Sequence, residues 1–189
     1  MTIEEIFKKL DVHIITGIMI HEQLADYFDF LNLHGYKRLH EYAYFRESAS
    51  LRGLHRYYIN HYERLIPESE ISSVYEIPMS WVKFTRSDVG ANEKKRFIRE
   101  AFDKWVDWEK ETKNLYQESY CELCELGEVA AACKIRELVS AVDMELKRAM
   151  RMLINLKSID FDLSTIYLCQ DELHDHYKSE SEKIGIDIC

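Results

Sequence analysis

This sequence predicts an all-α fold: a four-helix bundle made of two hairpins of long helices, joined by one long crossover and followed by a shorter C-terminal helix. Three observations carry that expectation. Apolar residues recur every three to four positions through most of the chain. Glycine and proline are scarce, at 6 and 2 in 189 residues, which leaves few places for turns. The breakers that do occur, Gly35, Pro67 and Gly127, divide the chain into long segments. The whole of residues 1–189 suits one domain with a single large core.

The first helix is expected over about 3–34, with Thr2 as N-cap and Glu4 and Glu5 in its first turn. Its stripe is Ile3, Phe7, Leu10, Ile14, Gly17, Leu24, Phe28 and Leu31, with His21 inserted at the same spacing. Gly35 is the expected break. A second helix covers about 36–66 and stops at Pro67. Residues 67–92 hold both prolines, several serines and no sustained helical period, so they read as a long crossover. A third helix spans about 93–126 and ends at Gly127. The fourth follows at once over about 128–157, striped by Ile135, Leu138, Val142, Ala149 and Met152, and a fifth runs over about 161–183.

Composition removes several function classes. A net charge of −9 disfavours nucleic-acid binding, which needs a basic face. The longest apolar run, "IITGIM", is far too short to span a bilayer. An N-terminus with early acidic residues and no signal-peptide core points to a cytoplasmic protein. Five cysteines then read as reduced thiols, and the Cys121-x-x-Cys124 pair, lying mid-helix without a second pair, as core or surface residues.

The chemistry begins with "KWVDWEKET", residues 104–112. Trp105, Trp108 and Thr112 share one helix face, and Glu109 sits among them, where a lone carboxylate is expensive. In an antiparallel hairpin, residues equally far from the turn lie at equal height. Glu109 is 18 positions before Gly127 and Glu145 is 18 after it, so the two are expected to face each other. Glu22 is 13 before Gly35 and Glu47 is 12 after it. At about 1.5 Å per residue, both pairs fall near one level when the two turns lie at opposite ends of the bundle. Four converging carboxylates require a cation or bound protons. Hard oxygen donors with a histidine suit iron or manganese. His21, beside Glu22, is the best nitrogen candidate, and Asp143, next to Val142, is a further oxygen. The competing reading pairs these acids with bases such as Arg46 or Lys147 and leaves the rest solvated. His40, His55 and His61 are weaker ligand candidates, and a hydrogen-bonded core position suits His40 and His61 better.

Residues 100–173, from "EAFDKWVDWEKET" through "IYLCQDEL", resemble the third and fourth helices and the following segment of bacterial non-haem ferritins without a gap. The stretch "GYKRLHEYAYFRESASLRGL" is similar to the second ferritin helix, with Dps-like features in its "YKRLHE" part. The likeness covers most of the chain and is strong in the second half. It implies a ferritin-like, homo-oligomeric protein binding Fe2+/Fe3+, or manganese, through Glu22, Glu47, Glu109 and Glu145. Ser50 stands where such proteins carry a ligand histidine, and Val142 where they carry Gln or Glu. The implied activity is iron oxidation or storage. The alternative is a non-catalytic structural or interaction protein that keeps the bundle without the centre. A DNA-protecting role ranks below both, since no basic tail accompanies the acidic charge.

Overall fold

The computed structural model describes residues 1–67 and 84–183. They form five α-helices: α1 (Ile3–Phe30), α2 (His34–Tyr62), α3 (Ala91–Glu125), α4 (Val129–Ser158) and α5 (Leu163–Lys183). A short 3-10 turn lies at Arg86–Asp88, and no strand occurs among the described residues. No helix among them is long and apolar enough to cross a membrane.

Local chemistry explains the ends. Thr2 caps α1 in a full capping box: its hydroxyl accepts from the Glu5 amide, and the Glu5 carboxylate accepts from the Thr2 amide. After α1 the chain reverses through Leu31, Asn32 and Leu33, with Asn32 at φ 60. Asparagine tolerates that left-handed backbone better than most residues. The expected break at Gly35 is therefore misplaced by a few residues. Gly35 lies inside α2, where its missing side chain lets α5 approach. An added Cβ would sit 2.1 Å from the Gln170 carbonyl oxygen. Helix α2 ends at Tyr62 on a left-handed Glu63, before Pro67. Of the expected crossover, residues 68–83 lie outside the described residues. Gly127, at φ 78, closes the α3–α4 hairpin as expected: its amide reaches the Cys124 carbonyl and the Glu128 amide reaches Leu123.

Helices α1 and α2 pack as one hairpin and α3 and α4 as the other, while α5 lies against α2. Across the hairpins, α1 meets α3 through Lys9 with Glu118, His13 with Thr112, and Phe28 with Phe102. One number rises as the other falls, so these helices are antiparallel. The pairs Arg46–Glu145 and Tyr62–Glu128 show the same for α2 and α4. Consequently α2 and α3 point the same way.

Apolar burial divides into two clusters. One gathers Leu24, Phe28, Phe97, Phe102, Trp105, Ala149 and Leu153 with the start of α5. The other gathers Phe7, Leu10, Ile14, Leu54, Tyr58, Tyr116, Leu123 and Ile135. On α3 the boundary falls between Trp108 and Tyr116, and on α4 between Val142 and Leu146. Into that waist come Glu109, Thr112, Glu145, Arg46 and Glu47. Four exposed, unoxidised cysteines, Cys121, Cys124, Cys133 and Cys169, lie elsewhere.

Candidate functional site

Glu109 is held at the waist by α3 itself. Trp105, one turn earlier, donates its indole Nε1–H to Glu109 Oε1 at 2.9 Å. Only 4% of Glu109 is exposed. Burial, together with the nearby Glu47 carboxylate, pushes its pKa up to about 8, against the opposing pull of the Trp105 bond, Arg46 and Arg148. At neutral pH Glu109 therefore carries its proton. Glu47, on α2, is half-buried, and burial pushes it up to about 7 despite Arg46 beside it. Tyr116, buried close to both acids, keeps its phenol proton far above the ordinary range.

The nitrogen face of this site is a histidine pair. His21 on α1 and His40 on α2 are both buried, with their Nδ1 atoms 3.1 Å apart, so one donates and the other accepts. His21 Nε2 lies 3.7 Å from Glu109 Oε1. Burial, reinforced by Arg46, pulls His21 down to about 4. Burial and the adjacent His21 pull His40 well below its ordinary value. Contact between Glu109 and His21 is thus between two neutral groups. When His21 Nδ1 is the donor to His40, its Nε2 offers a lone pair towards Glu109.

Glu145 faces elsewhere. Its carboxylate takes the Arg46 guanidinium from α2, and Arg148, one turn on, approaches it at 3.2 Å. The expected face-to-face Glu109–Glu145 pair is replaced by Glu109 with Trp105 and His21, and Glu145 with two arginines. Arg46 is thus the base that the competing sequence reading proposed. Its charge also bears on Glu47, Glu109 and His21.

Two candidates fall outside the layer. Glu22 is exposed. It follows His21 directly, and the step of about 100° round the helix carries its side chain to the solvent side. Asp143 is clamped by Lys113 Nζ at 2.6 Å and Lys147 Nζ at 2.5 Å, which hold its carboxyl down to about 2. It does not fill the place beside Val142, which is itself buried among apolar residues. Ser50 lines an open groove between α2 and α4. His40 is the hydrogen-bonded core residue expected. His55 pairs with Asp11 at 2.5 Å, and His61, expected in the core like His40, is instead exposed, 4.0 Å from Glu128. Sequence reasoning missed Arg148 and the His21–His40 contact; the i,i+3 spacing from Glu145 was the available signal for the former.

The donor chemistry of Glu47, Glu109 and His21 fits a hard or borderline divalent ion. Their arrangement is not a finished ligand set: among the described residues no three or more His, Cys, Asp and Glu side chains stand together as one. No protein-family model, curated protein or solved structure matches this chain. The functional reading therefore rests on the site itself.

The buried acids and imidazoles oppose each other in pH. Glu109 ordinarily titrates at 4.5 and here at about 8, so its burial costs nothing below 4.5 and increasingly more up to about 8. His21 costs nothing above its ordinary 6.5, and increasingly more as pH falls towards about 4. Metal-free wild type is expected to lose stability between about pH 5 and 8 more steeply than Glu109→Gln, which keeps the Trp105 acceptor without the charge. Urea unfolding at several pH values, with chelator present, measures this; parallel slopes for the two proteins would contradict the assignment.

Proposed function

We propose that this chain is a ferritin-like helical bundle that takes up a divalent cation of the iron or manganese class at its waist. The observation that carries this reading is Glu109: a buried carboxyl next to a second acid, Glu47, and beside a neutral imidazole. Such an acid is held in its proton-bearing form, and a cation arriving there would displace the proton. The parallel course of α2 and α3 supports the topology, because it sets the end of α2 and the start of α3 at opposite ends of the bundle, as in ferritin-like folds with one crossover.

Glu47 and Glu109 would supply the oxygens and His21 Nε2 the nitrogen. Iron held there would be the substrate, surrendering an electron to dioxygen, and the acidic chain would retain the ferric product. Trp105 positions Glu109 for this task, His40 fixes the His21 ring, and the apolar clusters on either side keep water away. Ser50 and Val142 supply no strong ligand, so the site has fewer donors than the ferritins it resembles.

A second reading is favoured by the Arg46–Glu145–Arg148 contacts: a non-catalytic bundle in which guanidinium groups and protons alone neutralise the waist. Anaerobic equilibrium dialysis against Fe2+ and Mn2+ separates the two. Wild type is expected to bind about one ion per chain and to release protons at pH 7 as it does so. Combining Glu47→Gln with Glu109→Gln is expected to weaken binding at least about tenfold, roughly 1.4 kcal/mol. Wild type that takes up neither ion leaves the second reading in place.

A further inference from the structure

We propose that the outward face of α4 is a self-association surface, on which a second copy of this chain docks antiparallel about a two-fold axis beside Met144. Glu137, Ser140, Met144, Lys147, Arg151 and Ile154 recur at alternating steps of three and four and are all exposed. That spacing aligns them along one side of the helix, opposite the buried stripe that includes Ile135, Leu138, Val142 and Ala149. Four of the nine exposed large apolar residues among those described belong to α4: Val129, Met144, Met150 and Ile154. Met144 and Ile154, on the outward line itself, are 60% and 61% exposed. Apolar side chains gathered on one solvent-facing helix are the mark of a surface that meets another protein.

The order of charges selects a second copy as the occupant. Glu137 lies seven residues before Met144 and Arg151 seven after it, each about 10 Å away along the axis. When one copy is reversed against another with Met144 at the centre, each Glu137 comes opposite the partner's Arg151. A two-fold axis makes that pairing twice. Both groups have capacity for it. Arg151 makes no ion pair or hydrogen bond with any described residue, whereas Lys147 beside it is held by Asp143 at 2.5 Å. Glu137 meets Lys134 one turn back at 2.5 Å, but its side chain is 67% exposed, which leaves its other oxygen for a second cation. From Glu137 to Ile154 the line runs about 26 Å, a contact at the small end of specific interfaces, so the dimer is reversible. This surface is separate from the cation site, and neither depends on the other.

Analytical ultracentrifugation of the full-length chain over a concentration series tests this, with circular dichroism to confirm that each variant folds. Wild type is expected to reach a dimer. Arg151→Glu and Glu137→Arg each set like charges opposite one another twice, and each is expected to weaken the dimer at least about tenfold. Mixed in equal amounts, these two variants are expected to pair with each other within about threefold of wild-type affinity, because one then offers two basic groups and the other two acidic ones. Met144→Asp is expected to leave a monomer. Wild type that stays monomeric at about 1 mM, where a Kd of that size would place half of the chains in dimers, overturns the inference. An oligomer that Met144→Asp and Arg151→Glu leave intact also overturns it, by placing the contact on another face. So does a mixture of the two charge variants that fails to recover, since the antiparallel pairing would then be wrong. The cation-site reading stands or falls separately, by dialysis.

Discussion

Trp105→Ala is expected to destabilise the metal-free protein by about 3–5 kcal/mol, the usual cost of emptying a large buried aromatic site. Trp105 is 1% exposed and lies at the edge of the larger apolar cluster, with the His40 ring edge-on at 4.9 Å and Phe102 at 5.8 Å. Truncation removes those contacts together with the hydrogen bond from the indole to the Glu109 carboxyl. Against a typical total of about 5–15 kcal/mol, such a loss approaches unfolding. Trp105→Phe divides the effect: most packing survives, but Glu109 loses its donor, at about 1–3 kcal/mol. It also loses a bond that holds its pKa down, so the Glu109 proton is released at still higher pH. Urea midpoints of the three proteins measure this; an alanine variant within about 1 kcal/mol of wild type would mean that Trp105 is not the buried anchor described.

The second large effect is expected from Gly35→Ala. The new methyl would lie 2.1 Å from the Gln170 carbonyl oxygen and 2.9 Å from its carbon, both backbone atoms of α5 that no side-chain rotation can move. Overpacking of this kind costs about 1–3 kcal/mol or more, and relief requires α5 to shift from α2. Gly53→Ala in the same helix is the control. There the methyl meets nothing within 4 Å, and alanine is expected to stabilise the helix by about 0.5–1 kcal/mol. Thermal unfolding gives both values, and faster tryptic cleavage after Lys178 reports displacement of α5. Opposite signs at the two glycines are the expected result; a harmless Gly35→Ala would place α5 elsewhere.

Helix spans were legible because periodic stripes and the Thr2 capping box are local signals. The α1–α2 turn was misread because asparagine at φ 60 leaves a fainter signature than glycine, and because Gly35 serves packing against α5. For the site, height was legible and rotation was not. Counting residues from Gly127 brought Glu109 and Glu145 to the waist, but counting says nothing about the direction in which each points around its helix axis. Glu109 turns towards α1 and its histidine, Glu145 towards α2 and its arginine. Glu22 failed for the same reason: at the right height, its rotation about the helix axis leaves it exposed. Arg46 was visible only as a generic partner, because its contact with Glu145 depends on how the two hairpins are seated.

Interdigitated aliphatic side chains tolerate sliding, since one leucine or isoleucine serves nearly as well as another a turn away. The indole, imidazole, carboxyl and guanidinium groups at mid-height do not. If α3 slipped by one turn, about 5.4 Å, against α1, Glu109 would leave His21, and Thr112 would leave His13. The central stratum therefore acts as a vernier, permitting one alignment of the rods and penalising its neighbours through stranded donors and acceptors.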